Sequence, residues 1–189
     1  MTDDRRLFLV RHGETEWSRA HRHTSFTDVP LTSTGREQAL ATGKRLSGID
    51  FALVLCSPLR RARETCEIAG LLDRAQLDDD LVEWNYGEFE GLTTQEIRQR
   101  LPGWTVWTHG PRGGESAEDV RTRVDRVIEK AAQSEGNVAL FGHGHCLRTL
   151  AARWIGLEVR DGARLALQTG TLSELGYERE QRVLLRWNT

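Results

Sequence analysis

Two stretches of this chain place a histidine directly after an apolar run. Leu7-Phe8-Leu9-Val10 leads into Arg11-His12-Gly13, and Val138-Ala139-Leu140-Phe141 leads into Gly142-His143-Gly144-His145. Between them lie an arginine pair, Arg60 and Arg61, behind Ser57-Pro58, and an acid, Glu83, among Leu81, Val82, Trp84 and Tyr86. These residue types suit the transfer of a phosphoryl group. A neutral imidazole attacks phosphorus without first passing a proton to a partner. The group in flight spreads negative charge over its oxygens, so guanidinium donors and a second imidazole stabilise it. A departing alkoxide needs a proton. A carboxyl group whose apolar surroundings favour the protonated form can supply one, then activate water against the phosphohistidine. No step demands a metal, and His143 and His145, one residue apart and without acidic partners at ligand spacing, make a poor metal site.

The elements around these residues read as alternating strands and helices. Large apolar residues without polar alternation, at 7–10, 51–56 and 138–141, predict strands covered on both faces, as in a parallel sheet. Ligands collect beyond the carboxyl ends of such strands, where Arg11, His12 and His143 emerge. A helix is expected over about 32–47, capped by Thr32 or by a Thr34–Glu37 capping box, with Ala39, Leu40, Gly43 and Leu46 facing the sheet. Ser57 is expected to cap a second helix, with Pro58 in its first position. Arg60 and Arg61 then fall in the first turn, where cations oppose the helix dipole. A bound dianion would compensate, since helix amides and guanidinium forks both favour phosphate; a solvated face is the alternative.

Residues 16–31 and 101–114 read as irregular walls or a lid, and 76–79 as a weak strand. Helices are expected over 115–134 and, following Gly142-His143-Gly144-His145, through Trp154, with further strands near 164–167, 171–177 and 182–187. Glu88 and Glu90 are expected at solvent or capping the short helix that starts near Thr93. Trp17, Phe26, Trp84 and Trp107 either shape a leaving-group pocket or pack in the core.

At 189 residues the chain is long enough for a core without disulfides or metals, and one domain over 1–189 is expected. A formal net charge of -2 gives no global attraction to nucleic acid or to an anionic membrane, so any anion site must be local. Cys56, Cys66 and Cys146 are scattered and odd in number, which suits buried thiols in a reducing cytosol. The opening residues Met1-Thr2-Asp3-Asp4 are polar, arguing against a signal peptide, and no apolar run reaches membrane-spanning length. A cytoplasmic enzyme needing no cofactor follows, its partner a small phosphorylated metabolite. The oligomeric state is open, a homodimer being admitted.

Arg11-His12-Gly13-Glu14-Thr15 resembles the signature of the histidine phosphatase superfamily, the phosphoglycerate mutase-like proteins. Further blocks are similar in family order: Leu31-Thr32 with Gly35 and Gln38-Ala39, Ser57-Pro58-Leu59 with Arg61-Ala62 and Thr65, Glu83 with Gly87 and Glu90-Gly91, Gly114-Glu115-Ser116, and His143-Gly144 with Arg148. The resemblance implies a three-layer α/β/α sandwich with a mostly parallel sheet. It makes His12 the nucleophile, Arg11, Arg61 and His143 the phosphoryl-binding groups and Glu83 the proton donor. Arg61 rather than Arg60 matches, because the family places its arginine directly before the alanine. Ser18, Thr24, Ser25, Arg60 and Gly144 are the expected substrate-binding residues; Ser18 stands where many members carry Asn, and Ser25 where Gly is usual. Mutases carry an insertion and an arginine pair after the tryptophan that matches Trp107, where this chain has Thr108 and His109. That departure favours water as the acceptor, and so a compact phosphatase over a phosphoglycerate mutase. A non-catalytic phosphate-binding module is the remaining alternative, although no catalytic residue of the family pattern is missing.

Overall fold

A computed structural model describes residues 5–189; the polar residues 1–4, on which the signal-peptide expectation rests, lie outside them. In chain order the elements are β1 (Leu7–Arg11), α1 (Glu16–Arg19), α2 (Ser33–Leu46), β2 (Phe51–Cys56), α3 (Arg60–Ile68), β3 (Gln76–Leu77), α4 (Thr94–Arg100), α5 (Val106–His109), α6 (Ala117–Ala132), β4 (Asn137–Gly142), α7 (Gly144–Trp154), β5 (Leu172–Glu178) and β6 (Gln181–Arg186). The strands form one sheet in the order β3-β2-β4-β1-β5-β6. The pairings among β3, β2, β4 and β1 are parallel, while β5 and β6 add antiparallel at one side.

Two cores explain the unalternating strands. Leu7 and Leu9 of β1, with Val138 and Leu140 of β4, pack toward the residues of α6 and α7. Phe8 and Val10, with Ala139 and Phe141, pack toward Leu46 of α2 and Ala62 and Cys66 of α3. Successive side chains of a strand point to opposite faces, and here each face meets helices, so every position must be apolar. Full burial of one such side chain contributes roughly 1.5–3 kcal/mol. The three layers of an α/β/α sandwich follow.

Several boundaries differ from expectation for identifiable reasons. Thr32, not Thr34, caps α2 by accepting from Gly35 N; Leu40 is 51% exposed, and Thr42 takes the sheet-side place, its hydroxyl donating to Gly170 O. Thr15 and Ser18 form a capping box that makes a short helix, α1, inside the expected loop. Val106–His109 makes another. The expected strand at 164–167 is absent, because the chain there leaves a 3₁₀ turn over Val159–Arg164. Ser57 does not cap α3 and Pro58 is not in its first turn: Leu59 is the cap position, and Arg60 N finds its acceptor on Asp28, 2.8 Å away. A carboxylate distant in sequence does what a local serine was expected to do.

Candidate active site

Register brings the strand ends together. Arg11 of β1 lies opposite Gly142 of β4, and Cys56 of β2 opposite Phe141. The next residues, His12, Ser57 and His143, therefore leave the sheet side by side, with His12 N donating to Gly142 O at 3.0 Å and Ser57 N to Phe141 O at 2.9 Å. The rings of His12 and His143 lie 5.1 Å apart, centre to centre. Gly13 lets this turn touch α2: a Cβ there would stand 2.2 Å from Gly35 O. Gly170 N donates to His12 O from the other side, so the histidine backbone is held at both ends.

His12 is 5% exposed, and its Nδ1 lies 2.7 Å from Gly13 O. A carbonyl only accepts, so Nδ1 carries the proton and Nε2 keeps its lone pair. Burial, reinforced by the charges of Arg61 and Arg11, holds this imidazole well below its usual 6.5, in the neutral, nucleophilic form. His143 is likewise pushed well below 6.5, by burial first and then by Arg61, His12, Arg11 and Arg123. Its Nε2 lies 2.8 Å from Ser57 Oγ. That hydroxyl is thus engaged at the site, and it also accepts from Leu59 N at 3.4 Å just ahead of α3.

Arg61 is fully buried in the first turn of α3. Its guanidinium donates to the carbonyls of Thr24 (3.1 Å), Ser25 (3.0 Å) and Thr27 (3.3 Å), tying the 24–27 loop to the site. Arg11 donates to Leu167 O and lies flat against the start of α7, where a Cβ on Gly144 would stand 3.3 Å from its Cζ. Gly144 is thus explained by the approach of Arg11. Among the described residues, the buried side-chain atoms without a hydrogen-bond partner include Arg11 Nε, Arg61 Nε and His143 Nδ1. Buried polar groups are rarely left so, and with the charges of Arg61 and Arg11 acting on His12 and the His143 ring 5.1 Å from it, the surroundings of His12 make a candidate anion site.

Glu83 is buried beside them, but not in the apolar enclosure its neighbours in sequence suggested. Its carboxylate accepts from Trp84 N (2.9 Å), His145 N (3.0 Å) and Cys146 N (2.9 Å), docked on the N-terminus of α7. A cavity of about 250 Å³ opens over Arg11, His12 and Glu83.

Of the expected substrate-binding residues, Ser18, Thr24 and Gly144 line this cavity. The hydroxyl of Ser18 is occupied in the α1 capping box, and that of Thr24 donates to Arg22 O. Ser25 and Arg60 are corrected. Ser25 is buried and does not line the cavity, its N–H given to Glu90. Arg60 is exposed and pairs with Glu64 one helical turn on, at 2.8 Å. Glu90 is not a surface acid: it accepts from Ser25 N and Thr27 N and so anchors the loop that Arg61 holds from inside. Trp84 and Trp107 are core residues, and Phe26 is 58% exposed.

The sequence reading missed His23, Tyr86 and His145, which form an aromatic wall of the cavity. Tyr86 Oη lies 2.6 Å from His145 Nδ1, and the rings of His23 and His145 stack 6.1 Å apart. Burial, followed by the charges of Arg148 and His23, holds His145 well below 6.5. Arg148 lies over the ring of Trp107 at 4.7 Å and also lines the cavity. Only the recurrence of glycine and histidine at 142–145 hinted at any of these.

Comparison with known proteins agrees with this geometry. The sequence profile of the histidine phosphatase superfamily (branch 1) matches residues 7–189. Acid phosphatase of Mycobacterium tuberculosis is 43% identical over 183 residues, covering 95% of this chain and 90% of that protein. Sedoheptulose 1,7-bisphosphatase of Saccharomyces cerevisiae is 36% identical over 187 residues, 82% of this chain and 69% of its own. A solved structure of an open reading frame product of Mycobacterium tuberculosis superposes with a TM-score of 0.94 at 41% identity, covering 98% of this chain and 97% of that one. The chain belongs to the histidine phosphatase superfamily, branch 1. Within it, the chain is a phosphatase, a hydrolase of phosphoric monoesters.

Proposed function

We propose that this chain, as one domain over residues 1–189, hydrolyses the phosphate monoester of a small metabolite through a phosphohistidine at His12. The observation that carries the reading is the state of His12: Nδ1 is committed to a carbonyl, Nε2 keeps its lone pair, and the charges of Arg61 and Arg11 and the ring of His143 stand close by. In the first half-reaction Nε2 forms a bond to phosphorus as the bond to the leaving oxygen breaks, and the Glu83 carboxyl gives that oxygen its proton. In the second, Glu83 takes a proton from water as the water attacks the phosphohistidine, releasing phosphate and restoring neutral His12. Arg11 and Arg61 meet the charge on the transferring oxygens. With an anion bound, the Ser57 hydroxyl donates to His143 Nε2 and leaves an Nδ1 proton for the anion.

Hydrolysis rather than isomerisation is favoured because Thr108 and His109 are exposed, bonded to one another at 2.8 Å, and absent from the cavity lining. The relatives named acid phosphatase and sedoheptulose 1,7-bisphosphatase support sugar phosphates as the first substrates to try. The setting we propose is the cytoplasm; no helix among the described residues is long and apolar enough to cross a membrane. The test is a hydrolysis screen over sugar phosphates and phosphoglycerates with a chelator present, alongside His12→Ala. That variant should lose roughly 10⁴- to 10⁶-fold in turnover, the scale of removing a nucleophile, and should form no acid-labile phosphoprotein. Unchanged turnover in it, or 3-phosphoglycerate isomerising faster than phosphate is released, would overturn the reading.

A further inference from the structure

Glu83 sits in a stretch with no regular secondary structure, between the 3₁₀ turns Asp79–Leu81 and Gly87–Phe89. A proton donor must nevertheless reach one oxygen within a few tenths of an ångström. Its carboxylate is docked on α7, and the backbone on either side of it is gripped by a single ion pair outside the cavity lining, Arg123 of α6 with Glu115. Arg123 is 6% exposed, and its Nη1 donates to Asp80 O and Val82 O, each at 2.8 Å, on the amino-terminal side of Glu83. Its Nε and Nη2 donate to Glu115 Oε1 at 2.8 Å and Oε2 at 3.1 Å.

Glu115 in turn holds the carboxyl-terminal side. Its Oε2 accepts from Asn85 N at 2.8 Å, its carbonyl accepts from the Trp84 indole at 2.9 Å, and its N–H donates to Asn85 O at 3.0 Å. Arg123 Nη1 also lies 3.5 Å from the sulfur of Cys146, whose N–H is one of the three donors to Glu83. Desolvation offsets much of the attraction in a buried ion pair, which makes such a pair a weak source of net stability. This one directs its hydrogen bonds to one loop, at Asp80, Val82, Trp84 and Asn85, none more than three residues from Glu83.

We propose that Arg123 and Glu115 are positioning residues for the proton donor: they hold the Glu83 carboxyl within reach of the leaving-group oxygen, so that hydrolysis of esters with strongly basic leaving groups depends on the pair. The inference rests on the reading of Glu83 as that donor. An acidic phenol departs without a proton, whereas an alkoxide does not, so a displaced donor costs rate in proportion to leaving-group basicity.

The experiment measures kcat/KM, which spans phosphoryl transfer to His12, for p-nitrophenyl, phenyl and alkyl phosphates. The proteins are the wild type, Glu83→Gln, Glu115→Gln, Arg123→Met, and Glu83→Gln combined with Glu115→Gln. Glu83→Gln should steepen the fall in rate with leaving-group basicity. Glu115→Gln and Arg123→Met should share that signature, losing about 10-fold or more on alkyl phosphates and less than about 3-fold on p-nitrophenyl phosphate. The double variant should be little worse than Glu83→Gln alone. Arg123→Lys, which keeps a cation beside the two carbonyls, should recover part of the alkyl phosphate rate. If Arg123→Met does not fold, Glu115→Gln, at a partly exposed and isosteric position, carries the test. Equal losses on every ester, or losses that add to those of Glu83→Gln, would make the pair merely structural and overturn the proposal. A Glu83→Gln enzyme with an unchanged slope would instead remove Glu83 as the donor, and the proposal with it.

Discussion

The strand-end floor of the site, of which His12 lines the cavity, and the cavity wall are built by different means. The floor, His12, Ser57 and His143, hangs on the parallel ladder of β1, β4 and β2, where each residue's place follows from register. The wall, residues 22–27 with 83–91, has almost no such ladder; beyond the bridge between Arg22 and Thr93 and scattered backbone bonds such as Gly91 N to His23 O at 2.8 Å, it is held by side chains reaching for backbone. Arg61 holds three carbonyls of the 24–27 loop, and Glu90 holds two of its N–H groups. The floor is thus rigid by repetition, while the wall depends on a few individually essential contacts.

Arg61 belongs to both regions, so its loss should break both. Arg61→Met removes the proposed phosphoryl-binding cation and releases three wall carbonyls. A loss of about 10²–10³ in kcat/KM is expected, on the scale of one transition-state donor, together with a lower Tm. Full activity would show that the cation does not touch the transferring group. Glu90→Ala should spare the floor and loosen the wall, costing about 1–3 kcal/mol in denaturant unfolding. It should raise KM several-fold more than it lowers kcat; an equal effect on the two would mean that floor and wall are not separable.

Gly144→Ala sharpens the comparison from the floor side. Its methyl would press on the Arg11 guanidinium from 3.3 Å, shifting it by tenths of an ångström. A drop of a few-fold in kcat/KM with unchanged Tm is expected, and steady-state kinetics beside a melt will check it. The smallest effect concerns pH. His12, His143 and His145 are held below 6.5 by burial in the fold, whereas in the unfolded chain they take up protons near 6.5. Below that pH the unfolded state binds more protons, so stability must fall as pH falls from about 6.5, and it is flat with respect to these groups above it. Inorganic phosphate, by bringing negative charge to His12 and His143, should raise Tm more at pH 5 than at pH 8; the reverse ordering in a thermal-shift series would contradict the anion site.

The catalytic floor was legible in the sequence because an unalternating apolar run has one common solution, a strand covered on both sides. Whatever follows it in such a sheet emerges at the carboxyl edge. His12, Arg11 and His143 were expected at that edge on this ground, and Arg61 rather than Arg60 by resemblance to the family, which places its arginine directly before an alanine. The wall was legible only as an irregular stretch over 16–31, not in its contacts. Ser25 and Arg60 have the chemistry of phosphate ligands, but Ser25 is buried outside the cavity lining with its N–H on Glu90 and Arg60 is turned to Glu64, and His23 and Tyr86 gave no local sign that they would face the cavity.

What the sequence determined by itself is the set of elements and the residues at their ends, since those follow from periodicity and from which groups a buried strand tolerates. What only the tertiary structure decided is which polar side chain meets which backbone atom tens of residues away: Asp28 capping α3 in place of Ser57, Glu90 holding 25–27, Arg123 and Glu115 bracketing Glu83. Buried donors and acceptors must be paired, but many partners could satisfy each of them. The choice among those partners is made by how the layers pack, and no local pattern in the chain records it.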